Sequence, residues 1–486
     1  MFKNTKIYNQ DLITKAEKKT FENKDSFSVM QIAAKACSKY ILSNYKPKKI
    51  LILCGPGNNG GDGILIAKDL LEQKCHVNIF APLGYGKTKD SAKALTKLNN
   101  NDLFKKSIDY KDFDFFIDAL FGFNFNRKLP QELKKILTDI NSQKFIKISI
   151  DVPSGVYCDN GQIDEIAIQA DLTLTFHRLK PAHVLLPGKK FSKKIEILEI
   201  GLTNIDSDTN VSIIDKPIIN PPAINEHKYN RGELYIFASN EMIGATKLAT
   251  LAASQIAFKS GTGIVKLLIK KNQKDFYKTH ILEELLVTYS KLNEIEDILQ
   301  IKEESTVLFG CGSEINEENS NLLKLLLKMK VKLVLDASSF SIMQKDLKNF
   351  MYLLSIRSST TILTPHLGEF KKIFSVSNNK IEDTKEAALK ANSIVLFKGN
   401  DTVISSPKGK TFINYFSSPY LATAGSGDVL SGIIASFLAQ NYDPIIATTI
   451  GCYVHSQSAI KINKPLTAKD IIDVLPSIIQ KNYKNN

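Results

Sequence analysis

From Lys49 to about Ile200 the chain repeats one pattern, a short apolar run followed by a stretch able to form a helix. Lys49–Cys54, His76–Phe80, Phe113–Asp118, Phe145–Ile150 and Asp171–Phe176 read as strands buried on both faces, with helices over Ile64–Gln73, Ser91–Leu98 and Gln131–Ile140 between them. Continuously apolar strands separated by helices require a parallel sheet covered on both sides, so the predicted class is α/β with a doubly wound, Rossmann-like sheet. The rhythm breaks over 203–222, where Asp206, Asp208, Pro217, Pro221 and Pro222 predict a connecting segment. It resumes at Leu234–Ala238, Gly263–Ile269, Thr306–Phe309, Val331–Asp336 and Ser393–Lys398, with short strands at Thr402–Ser405 and Thr411–Tyr415 and three helical stretches from Gly427 onward. No repeat links the two series. With 486 residues against roughly 150 per domain, two different α/β domains are expected, 1–215 and 216–486, the first preceded by a polar helical lead of about 45 residues.

Composition narrows the partners. The formal charge is +14, yet only Arg127, Arg178, Arg231 and Arg357 are arginines, and the planar guanidinium is what best reads phosphates and guanine edges. Small-molecule partners and no nucleic acid are expected, with a homo-oligomer compatible. No segment approaches the roughly 20 apolar residues of a membrane span. The six cysteines are scattered without a C-x-x-C pair, and the N-terminus carries no apolar run resembling a signal peptide, so a reduced, cytoplasmic protein is expected.

The strand ending at Cys54 runs into Gly55-Pro56-Gly57-Asn58-Asn59-Gly60-Gly61-Asp62-Gly63. Glycines there let backbone approach a ligand, and a following helix N-terminus favours an anion. The spacing is neither the dinucleotide fingerprint nor a P-loop. Two further loops, Asp118-Ala119-Leu120-Phe121-Gly122 and Asp151-Val152-Pro153-Ser154-Gly155, follow strands. In a parallel sheet all three leave at the carboxyl edge, where such folds bind ligands. Asn59, Asp118 and Ser154 supply oxygen ligands for a hard cation. Together these loops resemble the NAD(P)H-hydrate epimerase family. The resemblance implies a potassium ion on Asn59, Asp118 and Ser154. It implies a hydrate pocket lined by Asn58, Asn59, Gly60, Gly61 and Asp62 and by Gly122, Phe123, Asn124, Phe125, Asn126, Arg127 and Lys128. It also implies that Asp151 is the catalytic acid or base at the reacting centre, serving exchange of the R and S hydrates of reduced nicotinamide.

Near the C-terminus, Thr423-Ala424-Gly425-Ser426-Gly427-Asp428 precedes an apolar helical run. Glycines at a helix start turn several N–H groups toward one point, an anion nest with an acid beside it. Asp428 in that position can take a proton from a hydroxyl attacking a phosphoryl group. The motif resembles the anion hole and base of the ribokinase superfamily. Thr364-Pro365-His366-Leu367-Gly368-Glu369, Lys398-Gly399-Asn400-Asp401-Thr402 and Ser260-Gly261-Thr262-Gly263 narrow the resemblance to ADP-dependent NAD(P)H-hydrate dehydratases. It implies a ribokinase-like domain in which Gly263, Gly312, His366 and the catalytic Asp428 contact the hydrate. Lys398, Gly399, Asn400, Asp401, Thr402 and Gly427 would hold the nucleotide, with magnesium assisting transfer. Three segments depart from the family pattern: Gly310-Cys311-Gly312-Ser313-Glu314, Asp336-Ala337-Ser338 and the glycine-poor turn at 238–245.

The chain is therefore expected to be a bifunctional repair enzyme, exchanging R and S hydrates of NADH or NADPH and dehydrating the S form at the expense of ADP, giving AMP and phosphate. Two alternatives make other predictions. A ribokinase-like kinase for a sugar or pyrimidine-like alcohol, with an accessory N-terminal domain, shares the Gly-Ser-Gly-Asp motif alone. A non-catalytic RNA-associated scaffold would bind RNA in a salt-sensitive way without needing Asp151 or Asp428.

Overall fold

The computed structural model describes residues 5–238, 243–260, 262–278, 283–300 and 305–484. The chain forms two compact units, Met1–Val211 and Ser212–Asn486.

The first unit is built on seven strands: β1 (Lys49–Cys54), β2 (His76–Phe80), β3 (Phe104–Lys105), β4 (Phe115–Ala119), β5 (Ile146–Ile150), β6 (Leu172–Phe176) and β7 (Lys194–Leu198). They lie side by side in the order β3-β2-β1-β4-β5-β6-β7, and every pairing is parallel. Strand residues alternate between faces. Ile50, Ile52 and Cys54 join one apolar layer with Ile64 and Leu70, whereas Leu51 and Leu53 join the other with Leu133 and Leu137. Both faces are thus covered, as expected of a doubly wound sheet. The N-terminal lead is more than a polar extension. Its helices Gln10–Phe21 and Ser26–Asn44 are capped by the Asn9 and Asp25 side chains, and Phe27, Met30, Ala34, Cys37 and Ile41 complete the first apolar layer.

The second unit carries a ten-stranded sheet, with β8 (Val211–Ile213), β9 (Glu233–Phe237), β10 (Ile264–Lys270), β11 (Leu285–Tyr289), β12 (Thr306–Phe309), β13 (Lys332–Leu335), β14 (Thr361–Leu363), β15 (Ile394–Phe397), β16 (Val403–Ser405) and β17 (Thr411–Ile413). The order is β11-β10-β9-β12-β13-β14-β15-β16-β17-β8. Strands β9 to β15 pair in parallel, and β16 and β17 return antiparallel. Helices Ser426–Ala439, Pro444–Ile462 and Ala468–Gln480 cover one face. Glu317–Lys328, Ser338–Lys345 and Leu347–Ser355 cover the other.

The fold is α/β in both units, and three features revise the sequence reading. The helix after β1 starts at Asn58 and runs to Glu72, so the Asn-Asn-Gly-Gly-Asp-Gly stretch is its opening turns and not a loop. The segment expected to be connecting contains β8. Strands β3, β7, β11 and β14 carry no mark in the sequence pattern. Ser239–Met242, within the glycine-poor turn, and Gly261 lie outside the described residues.

Two candidate active sites

In the first sheet β1 sits between β2 and β4, so the chain leaves β1 and β4 toward opposite sides and a crevice opens at their carboxyl ends. A cavity of about 470 Å³ lies there. Asn58, Asn59, Asp62, Asp151 and residues 122–127 line it, as the loops predict, and so do Glu17, Val29 and Met30 from the two leading helices. Gly60, Gly61 and Lys128 are not in its lining. Gly60 and Gly61 are buried packing positions: a Cβ on Gly60 would lie 1.8 Å from the Gly55 carbonyl oxygen, and one on Gly61 3.0 Å from the Met30 sulfur. Lys128 points to solvent.

Asp151 follows β5 in the left-handed region, φ 69°, with its side chain 5% exposed. Its Oδ1 accepts from Lys180 Nζ at 2.7 Å and Thr175 Oγ1 at 3.2 Å, and its Oδ2 from the Phe123 N–H at 2.8 Å. Burial pushes its pKa up, but the charge and hydrogen bond of Lys180 outweigh it and hold the carboxyl below its ordinary value. Burial and then Lys180 hold His183 down at about 4. Its Nδ1 accepts from the Lys180 N–H at 3.0 Å, which leaves Nε2–H to donate to the Asp151 carbonyl at 2.9 Å. The Lys180–His183 turn thereby fixes both ends of Asp151. A Cβ at Gly122 would lie 3.1 Å from Asp151 Oδ2 and 3.4 Å from Asn59 Oδ1, so this glycine keeps the space between them open.

The proposed ion ligands Asp118 and Ser154 come together. Asp118 accepts from Ser149 Oγ, the Ser154 N–H, Ser154 Oγ and the Leu120 N–H. Burial raises its pKa against these bonds. A fully buried carboxylate held only by neutral donors suits a monovalent cation, which Asn59 would meet through Oδ1, its Nδ2 being a donor.

In the second unit, β12 to β15 deliver Gly312, Asp336, His366 and Lys398 to one sheet edge, since each follows its strand. Gly425, with φ 79°, turns the chain into the helix Ser426–Ala439; a Cβ there would come within 2.3 Å of Leu248. The Ser426 N–H bonds the Thr423 carbonyl, while the following N–H groups of the helix start have no intrahelical partner and suit an anion. Asp428 stands in its first turn, and its pKa is pushed up to about 6, by burial and then by the charge of Asp336. Lys398 Nζ bonds Asp336 Oδ1 at 2.7 Å and lies 3.7 Å from Glu369. Buried His455, held neutral by burial at about 4, sits 3.3 Å from the Ser426 hydroxyl at the nest.

The nucleotide segment is stiffened from inside. Thr402 Oγ1 donates to the Gly399 carbonyl and accepts from its N–H, while Asp401 pairs with Lys380 at 2.6 Å. Asn400 is exposed. His366 accepts from the Gly368 and Glu369 N–H groups through Nδ1 and so caps the helix Leu367–Ile373, with 60% of its side chain exposed. Gly263 stands apart. It precedes β10, at the amino edge, with its N–H bonded to the Arg231 carbonyl. Its neighbour Thr262 bonds Ser436, about 12 Å along the helix from Asp428 at 1.5 Å per residue. It is a packing residue, not a hydrate contact in this structure. Cys311 Sγ, Asp336 and Asp428 carry ligand atoms within 4.8 Å of one another.

The sequence did not single out Lys180, Glu17, Lys380 or the Asp336–Lys398 pair. Nothing distinguished Lys180 and Lys380 among so many other lysines, nothing tied Lys398 to Asp336, and Glu17 sits on a helix that read as a polar lead.

Two family models match the chain: one described as NAD(P)H-hydrate dehydratase over residues 234–481, the other as YjeF-related protein N-terminus over 26–182. A bifunctional NAD(P)H-hydrate repair enzyme from Dictyoglomus turgidum is 30% identical over 469 residues, spanning 89% of each chain. The chain belongs to this family. A Synechocystis enzyme of the same description is also 30% identical, over 90% of this chain and 86% of its own. Among solved structures, an ADP/ATP-dependent NAD(P)H-hydrate dehydratase from Bacillus subtilis, co-crystallized with ATP and Mg2+, is 24% identical with a TM-score of 0.46, over 55% of this chain and 95% of that one. Among the described residues no helix is long and apolar enough to cross a membrane, and all six cysteines are free thiols.

Proposed function

We propose that the first unit interconverts the R and S hydrates of NADH and NADPH and that the second dehydrates the S hydrate using ADP. The observation that carries this is the pairing, in one chain, of two sites that serve one metabolite, each holding an acid at the carboxyl edge of its own sheet. In the first, Asp151 is an ionised carboxylate at the cavity wall, able to take a proton from water adding to the ring. Asn59, Asp118 and Ser154 would hold potassium, which would supply positive charge beside the buried Asp118.

In the second, Asp428 is ionised at neutral pH and takes the proton of the ring hydroxyl as its oxygen attacks the terminal phosphoryl group of the nucleotide. The nest at Ser426–Asp428 stabilises the charge that develops on the phosphoryl oxygens, while Lys398, Gly399, Asn400, Asp401, Thr402 and Gly427 hold the nucleotide, with Gly312 and His366 toward the hydrate. Phosphate then departs with the oxygen of the hydrate, the ring nitrogen pushes electrons, and loss of a neighbouring ring proton restores the double bond. AMP and phosphate are the co-products. Among the described residues the clustered groups make no prepared magnesium site: burial keeps the Cys311 thiol protonated and Asp336 is already paired with Lys398. Mg2+ commonly relies on substrate phosphates and water for most of its ligands.

The test supplies purified protein with a mixture of R and S hydrates and either ADP or ATP. Complete recovery of reduced-nicotinamide absorbance with release of AMP and phosphate from ADP is expected; no recovery with either nucleotide refutes the dehydratase. The kinase alternative predicts a stable phosphorylated alcohol instead.

A further inference from the structure

Epimerising the hydrate breaks the ring C–O bond on one face and remakes it on the other. The departing oxygen needs a proton and the entering water must lose one. Asp151 suits only the second of these steps, because both carboxylate oxygens already accept hydrogen bonds and Lys180 keeps it ionised. A proton donor has to come from elsewhere in the cavity.

Glu17 lines the same cavity from a separate element, the helix Gln10–Phe21. Among the described residues its carboxyl makes no hydrogen bond or ion pair. We propose that Glu17 is a second catalytic residue of the epimerisation, protonating the oxygen as it leaves the ring. This rests on the reading of the first unit as the epimerase. The ring nitrogen's lone pair expels the oxygen, the C–O bond breaks, and Glu17's proton turns the leaving group into water, leaving an iminium ring. Water then adds to the same carbon from the other face, and its proton passes to Asp151. Exchange with cavity water returns the proton to Glu17. Nothing is oxidised or reduced.

The surroundings support this division. Burial and then the Asp151 charge push Glu17 up to about 7, against Lys180, so the group is half protonated near neutrality. Besides Asp151, Asp62 from the helix Asn58–Glu72 and Asp90 from the helix Lys89–Leu98 also line the cavity. Burial, then the charges of Asp151 and Glu17, push Asp62 up, so it stands as a neutral neighbour of Glu17, and the Asp62→Asn variant below separates the two.

The experiment measures R/S exchange by chromatography on wild type, Glu17→Gln, Glu17→Asp and Asp62→Asn across pH, with the spontaneous rate subtracted and circular dichroism as the folding check. Wild-type kcat should fall as pH rises through about 7. Glu17→Gln should lower kcat about 100-fold or more, keep KM within about twofold and lose that fall, with Glu17→Asp recovering part of the rate. If Glu17→Gln does not fold, a Glu17→Asp kcat within twofold of wild type overturns the proposal. So does a folded Glu17→Gln of wild-type kcat, or loss of the alkaline fall in Asp62→Asn alone. Wild type no faster than the spontaneous rate refutes the epimerase reading itself.

Discussion

Both sites place a lysine, buried at Lys180 and half-buried at Lys398, among carboxylates, yet the lysine serves a different acid in each. Lys180 bonds the proposed catalytic carboxylate directly and holds Asp151 below its ordinary pKa. Lys398 bonds a neighbour, Asp336, and leaves Asp428 raised to about 6. The direct pair makes a fixed anion of Asp151, with proton donation left to another group. The indirect pair leaves an acid that titrates close to working pH, as a general base for hydroxyl activation requires. Each ammonium lowers the acid near it, but only the direct pair at Asp151 overcomes burial, whereas at Asp428 burial and the Asp336 charge prevail.

The sharpest way to break the comparison is Asp428→Asn. Nucleotide-dependent recovery of reduced nicotinamide should fall by about 10²–10⁴-fold, while R/S exchange persists. The same substitution should strengthen folding of the second unit. A carboxyl whose folded pKa lies above its unfolded value binds protons better when folded, so its ionised form opposes folding above about pH 6. Removing it should add on the order of 1–3 kcal/mol at neutral pH, read from denaturant unfolding. Equal loss of both activities would show that the sites do not divide the labour.

Lys180→Met tests the other half. It leaves Asp151 as a buried charge without its partner, which costs about 3–5 kcal/mol, and the first unit's unfolding midpoint should drop accordingly. Adding Asp151→Asn should restore much of that stability but no epimerisation. Because Asp151's folded pKa lies below its unfolded one, its contribution is present at neutral pH and is lost as pH falls through the folded value. The Lys180→Met variant should therefore lose less stability than wild type on acidification. An unchanged midpoint would mean that the Asp151–Lys180 pair does not bear on the fold.

How far the sequence discloses such pairs depends on what local chemistry can signal. The strands rich in apolar residues, the Gly-Ser-Gly-Asp helix start and the loops after β4 and β5 were legible, because period and glycine spacing report backbone conformation directly, whereas the glycine-rich stretch after β1 read as a loop and is a helix start. The short β14 and the edge strands β3 and β7 were not, since a strand of two or three residues, or one with exposed lysine, has no distinct period. Gly263 shows the opposite failure: a glycine beside a recognisable motif serves packing under Lys228 and Arg231, far from Asp428. Glu17 became visible only when the leading helix reached the cavity, and Lys180 only when the chain after β6 brought its ammonium onto Asp151.

Lys398→Met sharpens the electrostatic contrast with a smaller expected effect. At saturating ADP, the acid limb of wild-type dehydration should lie near pH 6, where Asp428 ionises. Removing the Lys398 ammonium deletes a charge that lowers Asp428 and frees the charge of Asp336 to raise it, so the limb should move to higher pH. A limb that stays in place would assign it to a group other than Asp428.

The smallest effect concerns His366, whose ring both caps a helix and faces solvent at the site's edge. Removing a cap costs about 1 kcal/mol, and asparagine is itself a strong N-cap. His366→Asn should therefore keep stability within about 0.5 kcal/mol of wild type, whereas His366→Ala should lose about 1 kcal/mol. If the exposed Nε2 edge also meets the hydrate, both variants should raise KM for the hydrate several-fold while KM for ADP stays put. A wild-type hydrate KM in His366→Asn would reduce His366 to its capping role and leave Asp428 and Gly312 as the proposed hydrate contacts, because the imidazole is the only thing that substitution removes from the site.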